Sequence, residues 1–288
     1  MGAVSFYTII LSTNGVILLS PSDIDISALE SRLTTAKIGR PMQILAEIDS
    51  TNEEIGRNPT LPEGAVIIAN QQTQGRGRQG RSWYSEPGTG LYLSTLLKPD
   101  LPSEKLSLIT LMVGVATVSA IGQHSKLKWP NDILLNGKKL AGILCEHIPG
   151  TTPVIIVGIG INLNQTRFPE DIQDIATSLK LETGKTVNRA DLVISLLENL
   201  DHEYEEFLQG KNENLIRKWT ENSDLFGKTV TVQQKGKSLT GSAIKLDPQG
   251  RLVLKTPDGE QHILDSGELL AAEADSKNPF STEHRSQR

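Results

Sequence analysis

Seven positions, Gly75-Arg76-Gly77-Arg78-Gln79-Gly80-Arg81, hold three glycines and three arginines in a chain whose formal net charge is −5. Glycine lets the backbone approach a ligand closely. Each arginine offers a planar, permanently charged fork of donors that suits phosphate or carboxylate. The chemistry this spacing points to is the holding of an anion. A second cationic segment is Lys126-Leu127-Lys128-Trp129-Pro130-Asn131-Asp132. Strand alternation there turns Lys126 and Lys128 away from Leu127 and Trp129, which allows one lysine to stand on a functional face. Ser50-Thr51-Asn52-Glu53 has the form of a capping box opening a short helix, and hydroxyls at a helix start also make a polar pocket floor. Gln72 offers both a donor and an acceptor. Gly158-Ile159-Gly160-Ile161-Asn162 ends an apolar run with two glycines and an amide, the signature of close approach by a ligand or another backbone, or of a β-bulge.

Gly75, Gly77 and Gly80 spell G-x-G-x-x-G, which marks a dinucleotide site only between a strand and the start of a helix. The strand is there, Ala65 to Asn70, but Trp83, Pro87, Gly88 and Gly90 lead into another strand at Leu91 to Leu97. An RGG-type RNA-binding element is the second reading; such elements are usually repeated in disordered sequence, and this one occurs once between apolar strands. A solvated loop, and solvated lysines at 126 and 128, are the plain alternatives.

The sequence has no G-x-x-x-x-G-K-[ST], no H-E-x-x-H and no G-x-S-x-G, and its five histidines are scattered. The single Cys145 excludes an internal disulfide and a cysteine-based zinc site, and no metal site is expected. What remains is positive charge without a nucleophile, as suits an enzyme that positions two anionic substrates to react with each other. Two like charges 4 Å apart repel by about 4 kcal/mol at an effective dielectric of 20, so a carboxylate approaching a phosphate needs cations beside it.

The elements that must position these groups are those of an α+β protein with a mixed, largely antiparallel sheet. Strands are expected at Gln43 to Ile48, Ala65 to Asn70, Leu91 to Leu97, Lys126 to Trp129, Ile133 to Leu135, Lys139 to Cys145 and Val154 to Ile161. Asn136-Gly137 signals a type I′ hairpin, which disfavours a doubly wound parallel sheet. The uncharged run from Leu106 to Ser125 reads as a buried helix, with Ser103 as its cap, and its apolar part is too short to span a membrane. Leu192, Leu196, Leu200, Tyr204 and Phe207 lie at helical spacing behind the cap Asn188. The expected organisation is a strand-rich extension over 1–40 with a hairpin at Asn14-Gly15, a catalytic domain over 41–222, a small antiparallel barrel over 225–270 and a disordered tail over 272–288. At 288 residues and 37% hydrophobic content the chain can build these cores, and its acidity argues against general nucleic-acid binding.

Taken together, Ser50-Thr51-Asn52, the loop from Gly75 to Trp83, Lys128-Trp129-Pro130-Asn131-Asp132, Lys139-Leu140-Ala141-Gly142-Ile143-Leu144 and Gly158-Ile159-Gly160-Ile161-Asn162 resemble the biotin protein ligase family, in that family's order. The resemblance covers about Ile48 to Asn162; residues 225–270 are similar to the family's SH3-like C-terminal domain. It implies a two-step reaction in which biotin and ATP, the latter with Mg2+, form biotinoyl-5′-AMP. The adenylate then acylates one lysine of a biotin carboxyl carrier protein or domain of a carboxylase such as acetyl-CoA carboxylase. By position, Ser50, Thr51, Asn52, Gln72, Arg76, Gly77, Arg78 and Lys128 resemble the biotin-contacting residues. Arg78, Arg81, Trp83, Lys128, Asn131 and Asn162 resemble those at the ATP or adenylate, with Lys128 and Arg78 in catalytic roles. The resemblance further implies a cytoplasmic enzyme with no membrane and no DNA partner, since no DNA-binding domain precedes residue 40; the N-terminal hairpin is compatible with packing on the sheet or supporting a homodimer. A lipoate- or octanoate-attaching enzyme shares the fold, and a nucleic-acid-binding protein using the Gly/Arg loop is the other alternative.

Overall fold

In the computed structural model, residues 10–12, 15–17, 24–58, 60–100, 107–148, 153–234 and 236–273 are described. An antiparallel hairpin of β1 (Ile10–Ser12) and β2 (Gly15–Ile17) opens the chain. Ser12 pairs with Gly15, so the glycine expected in the turn already belongs to the second strand. The next segment departs from the strand-rich expectation: α1 (Ile26–Arg32) is a helix, capped by Asp25 Oδ1, which accepts from Ser27 N at 2.8 Å. Ile24, Leu29, Leu33 and Ile38 bury into the same core as the main sheet, so residues 24–40 pack as part of that body.

That sheet consists of β3 (Met42–Leu45), β4 (Val66–Ala69), β5 (Gly90–Leu97), β6 (Lys126–Lys128), β7 (Asp132–Leu135), β8 (Lys138–Ile148) and β9 (Val154–Asn162). Its order is β3-β4-β5-β9-β8-β7-β6, with β3–β4 parallel and the other pairs antiparallel. The Asn136-Gly137 turn joins β7 to β8 with φ of 50° and 81°, the positive pair a type I′ hairpin needs. All eight residues of β5 are buried because both faces of the sheet are covered, which is why the strand reads as a nearly unbroken apolar run. One face packs on α3 (Ser107–Ile121) and α5 (Arg189–Leu208), with α6 (Asn212–Glu221) against α3. The other carries α2 (Thr51–Arg57), whose Ile55 joins Ile67, Leu96 and Ile156 in a small second core; α4 (Leu179–Thr183) is a short connection.

Helix α3 is apolar on nearly every side and buried accordingly. Helix α5 starts at the expected cap, Asn188 Oδ1 accepting from Asp191 N at 3.2 Å. Ser103 lies outside the described residues.

After α6 the chain forms an antiparallel sheet of β10 (Thr229–Gln234), β11 (Lys237–Leu246), β12 (Leu252–Lys255), β13 (Gln261–Leu264) and β14 (Glu268–Glu273), ordered β13-β12-β11-β10-β14. Strand β14 was not expected, and it corrects the start of the proposed tail: Ala272 and Glu273 pair with β10. Residues 274–288 lie outside the described residues. The buried Trp129 joins the two sheets, its Nε1 donating to the Gly250 carbonyl at 3.4 Å while its ring lies against the backbone of Gly267.

Candidate active site

A cavity opens on the α2 side of the main sheet, where the start of α2, the glycine-arginine loop, the segment from Lys128 to Asp132 and the centres of β8 and β9 meet. Its floor departs from the capping-box reading. Ser50 is at the N-cap but makes no side-chain capping bond. Gln72 Oε1 serves instead, accepting from Thr51 N at 2.9 Å, with Thr51 Oγ1 3.1 Å away. The Gln72 amide also donates to Ser85 Oγ at 3.1 Å. Ser50, Thr51 and Asn52 are buried. Asn52 Nδ2 donates to Glu146 Oε2 at 2.7 Å and to the Leu144 carbonyl at 3.4 Å, and its Oδ1 is 2.5 Å from Ser94 Oγ. Gly158 underlies this amide; a Cβ there would fall inside it. Close approach was the expectation at Gly158, and a side chain makes it.

The loop folds back on itself, Trp83 N donating to the Gly75 carbonyl at 2.8 Å and Gly77 N to the Arg81 carbonyl at 2.7 Å. A side chain at Gly75 would strike Trp83 O at 2.6 Å, so glycine is required there. Gln79 turns the loop with a φ of 58°. Each arginine has its own anchor. Arg76 pairs with Glu53 and with Glu146, the latter at 3.3 Å. Arg78 Nη1 donates to Asn131 Oδ1 at 3.0 Å, and Asn131 Nδ2 donates to the Ile143 carbonyl at 2.9 Å. Loss of solvent lowers the Arg78 pKa from the ordinary arginine value, and the Asp132 carboxylate acts against that shift. Arg81 pairs with Glu268 at the start of β14, so the C-terminal sheet closes one wall.

The indole of Trp83 rests against Gly142 and Gly160, and its Nε1 is buried without a hydrogen-bond partner among the described residues. Two lysines line the cavity. Lys128 makes no ion pair or side-chain hydrogen bond among the described residues, whereas Lys126 points elsewhere, to Asp224 at 3.4 Å. Lys139 is the second: its Nζ is 2.7 Å from Asp132 Oδ1 and 5.5 Å from the centre of the Trp83 ring. Of the residues expected at the site, Ser50, Thr51, Asn52, Gln72, Arg76, Gly77, Arg78, Arg81, Trp83, Lys128 and Asn131 all line the cavity. Asn162 does not; it is buried beyond the lining, with Gln165 Nε2 3.5 Å from its Oδ1.

Reading the sequence missed Lys139, Ser94, Glu146 and Glu268 as site residues. Lys139 stood in a quoted motif, but the bulge between Ile133 and Leu134 breaks the alternation that would have assigned its face. Cys145 is half-buried, and desolvation pushes its thiol up to about 11, so it is no thiolate at neutral pH. The cavity thus pairs a floor of neutral donors and acceptors with a wall of arginine and lysine. Such a site binds a neutral polar head at one end and gathers negative charge at the other.

Residues 44–163 match the biotin/lipoate A/B protein ligase family, and residues 225–269 the biotin protein ligase C-terminal domain. The chain is 33% identical over 258 residues to the bifunctional ligase/repressor BirA of Bacillus subtilis, covering 86% of this chain and 79% of that protein. It is 31% identical to the biotin–[acetyl-CoA-carboxylase] ligase of Mycobacterium tuberculosis, covering 86% and 95% respectively. Among solved structures, the biotin protein ligase of Aquifex aeolicus in complex with biotin and ATP superposes with a TM-score of 0.71 at 32% identity, covering 79% of this chain and 97% of the other.

Proposed function

Since the chain belongs to the biotin/lipoate A/B protein ligase family, with the biotin protein ligase C-terminal domain, we propose that it activates biotin with ATP and transfers it to a lysine of a carboxylase's biotin carrier domain. The observation that carries this reading is the polarity of the cavity. Ser50, Thr51, Asn52 and Gln72 offer neutral hydrogen-bonding groups suited to a urea ring; Arg76, Arg78, Lys128 and Lys139 supply charge where a carboxylate meets an α-phosphate.

In the first step a carboxylate oxygen of biotin attacks the α-phosphorus and pyrophosphate leaves, forming the mixed anhydride. The cations offset the approach of two anions and the charge gathering on the pyrophosphate. Trp83, held on its glycine seat, is the side chain for the adenine. Arg81 and Asn131 border the nucleotide end, with Asn131 also holding Arg78. Magnesium enters with the nucleotide as part of the substrate.

In the second step the carrier's lysine amine attacks the anhydride carbonyl and AMP leaves. Until then the loop must keep water out, because the anhydride hydrolyses on contact. Among the described residues no helix is long and apolar enough to cross a membrane. The test is incorporation of labelled biotin into an isolated carrier domain with ATP, run beside lipoate. ATP-dependent labelling by biotin alone supports the reading; labelling by lipoate alone overturns it.

A further inference from the structure

Lys139 owes its place in the cavity to backbone contacts that the main sheet does not supply. On one side of it, the register between β7 and β8 shifts between Ile133 and Leu134, just where Lys139 pairs. On the other, the pairing of β9 with β8 begins only at Ala141. A segment from outside the sheet takes over there. Lys139 N donates to the Ile175 carbonyl at 2.7 Å, and Thr177 N donates to the Lys139 carbonyl at 2.9 Å, which makes a parallel bridge between Lys139 and Ala176. A lysine carries its charge on a flexible four-carbon stem, so the place its ammonium can reach depends on where the backbone starts it.

Glu182 on α4 holds that segment. Its Oε1 accepts from Thr177 Oγ1 at 2.5 Å, and its Oε2 accepts from Asn136 Nδ2 at 2.5 Å. Asn136 stands in the turn that leads into β8, so one carboxylate ties the turn before Lys139 to the segment beside it. The hydrogen bonds from Thr177 and Asn136 hold the Glu182 carboxyl below its ordinary value, so at neutral pH it is ionised and accepts from both. Thr177 is 1% exposed, which shields its bond from water. Neither Thr177 nor Glu182 lines the cavity. We propose that Glu182 and Thr177 are positioning residues for the adenylation step: they press residues 175–177 against the start of β8 and so fix the reach of Lys139 into the site. The inference rests on the chain activating biotin with ATP. Its energetic scale is that of misplacement, since a shift of about 1 Å in a reacting or charge-stabilising group costs on the order of 10²-fold in rate.

The experiment measures biotin-dependent ATP/pyrophosphate exchange by the full-length protein. Glu182→Ala lowers kcat by about tenfold and changes KM for biotin by less than about twofold, because the floor of the cavity is untouched. In a Lys139→Ala background the same substitution changes kcat by less than about twofold, since no ammonium is left to place. A merely structural loss would repeat in full in that background. Thr177→Val, which keeps the shape and removes the donor, behaves as Glu182→Ala does, whereas Thr177→Ser, which keeps the donor, retains activity; this pair carries the test should Glu182→Ala fail to fold. An unchanged kcat in folded Glu182→Ala, an equal loss with and without Lys139, or near-normal exchange in Lys139→Ala itself overturns the proposal while leaving the reaction in place. Wild-type protein without biotin-dependent exchange overturns the functional reading, and the proposal with it.

Discussion

Gly142 on β8 and Gly160 on β9 are register partners, and the Trp83 indole lies against both. A Cβ at Gly142 would meet Trp83 Cζ3 at 2.9 Å, and one at Gly160 would fall within the ring. Two paired glycines leave a recess in an otherwise side-chain-covered sheet, and an aromatic ring from the loop fills it. Sheet pairing, about sixty to eighty residues downstream in sequence, thereby sets the height at which the loop stands.

Gly160→Ala should lift Trp83 from this seat without straining the backbone. The KM for ATP is expected to rise roughly tenfold, equivalent to about 1.4 kcal/mol, with a smaller change for biotin and a shift in tryptophan fluorescence. An unchanged KM for ATP would separate Trp83 from the nucleotide.

The cavity's two ammonium groups differ in setting: Lys139 is paired to Asp132, and Lys128 has no partner among the described residues. Each alanine substitution should lower biotin-dependent ATP/pyrophosphate exchange by roughly 10²–10³-fold, as for loss of one preorganised charge. Near-normal exchange in either variant would remove that lysine from the chemistry.

Arg78 anchors the loop to Asn131 at 3.0 Å and reaches into the cavity. In Arg78→Gly the adenylate should still form but leave the site early, biotinylating exposed lysines of bystander proteins. Retention of the adenylate with unchanged target selectivity would count against a role in holding it.

Trp129 is 2% exposed and spans the junction between the sheets. Trp129→Ala should cost about 3–5 kcal/mol, lowering the melting temperature by roughly 10 °C at about 2–4 °C per kcal/mol. A shift below 2 °C would mean that the C-terminal sheet does not depend on this anchor.

Much of the frame was legible from residues whose cause is local. Asn136-Gly137 dictates its hairpin through positive φ, α3 is apolar on nearly every side, and Asn188 caps α5. The site's upper half was legible for the same reason, being one continuous loop. In the lower half Ser50, Thr51, Asn52 and Gln72 were legible, but the side chains beneath them were not, because Ser94 and Glu146 reach Asn52 across 42 and 94 residues of sequence, and nothing in an isolated serine or glutamate on a strand announces such a partner. Ser50 misled because its capping role passes to Gln72, a residue 21 positions beyond Thr51. Helix α1 and strand β14 escaped because each is short and takes its stability from the shared core, through Leu29 and Leu269.

The loop's outer arginines are held by partly exposed acids, Arg76 by Glu53 and Arg81 by Glu268, while the hydrogen bonds beneath Thr51 are closed to water. Dissolved ions weaken exposed pairs and scarcely touch buried ones. Adding potassium chloride therefore unfastens the guanidiniums from their carboxylates before it masks them from phosphate, so turnover plotted against ionic strength should climb, crest and then decline, while affinity for the vitamin's ring stays level throughout.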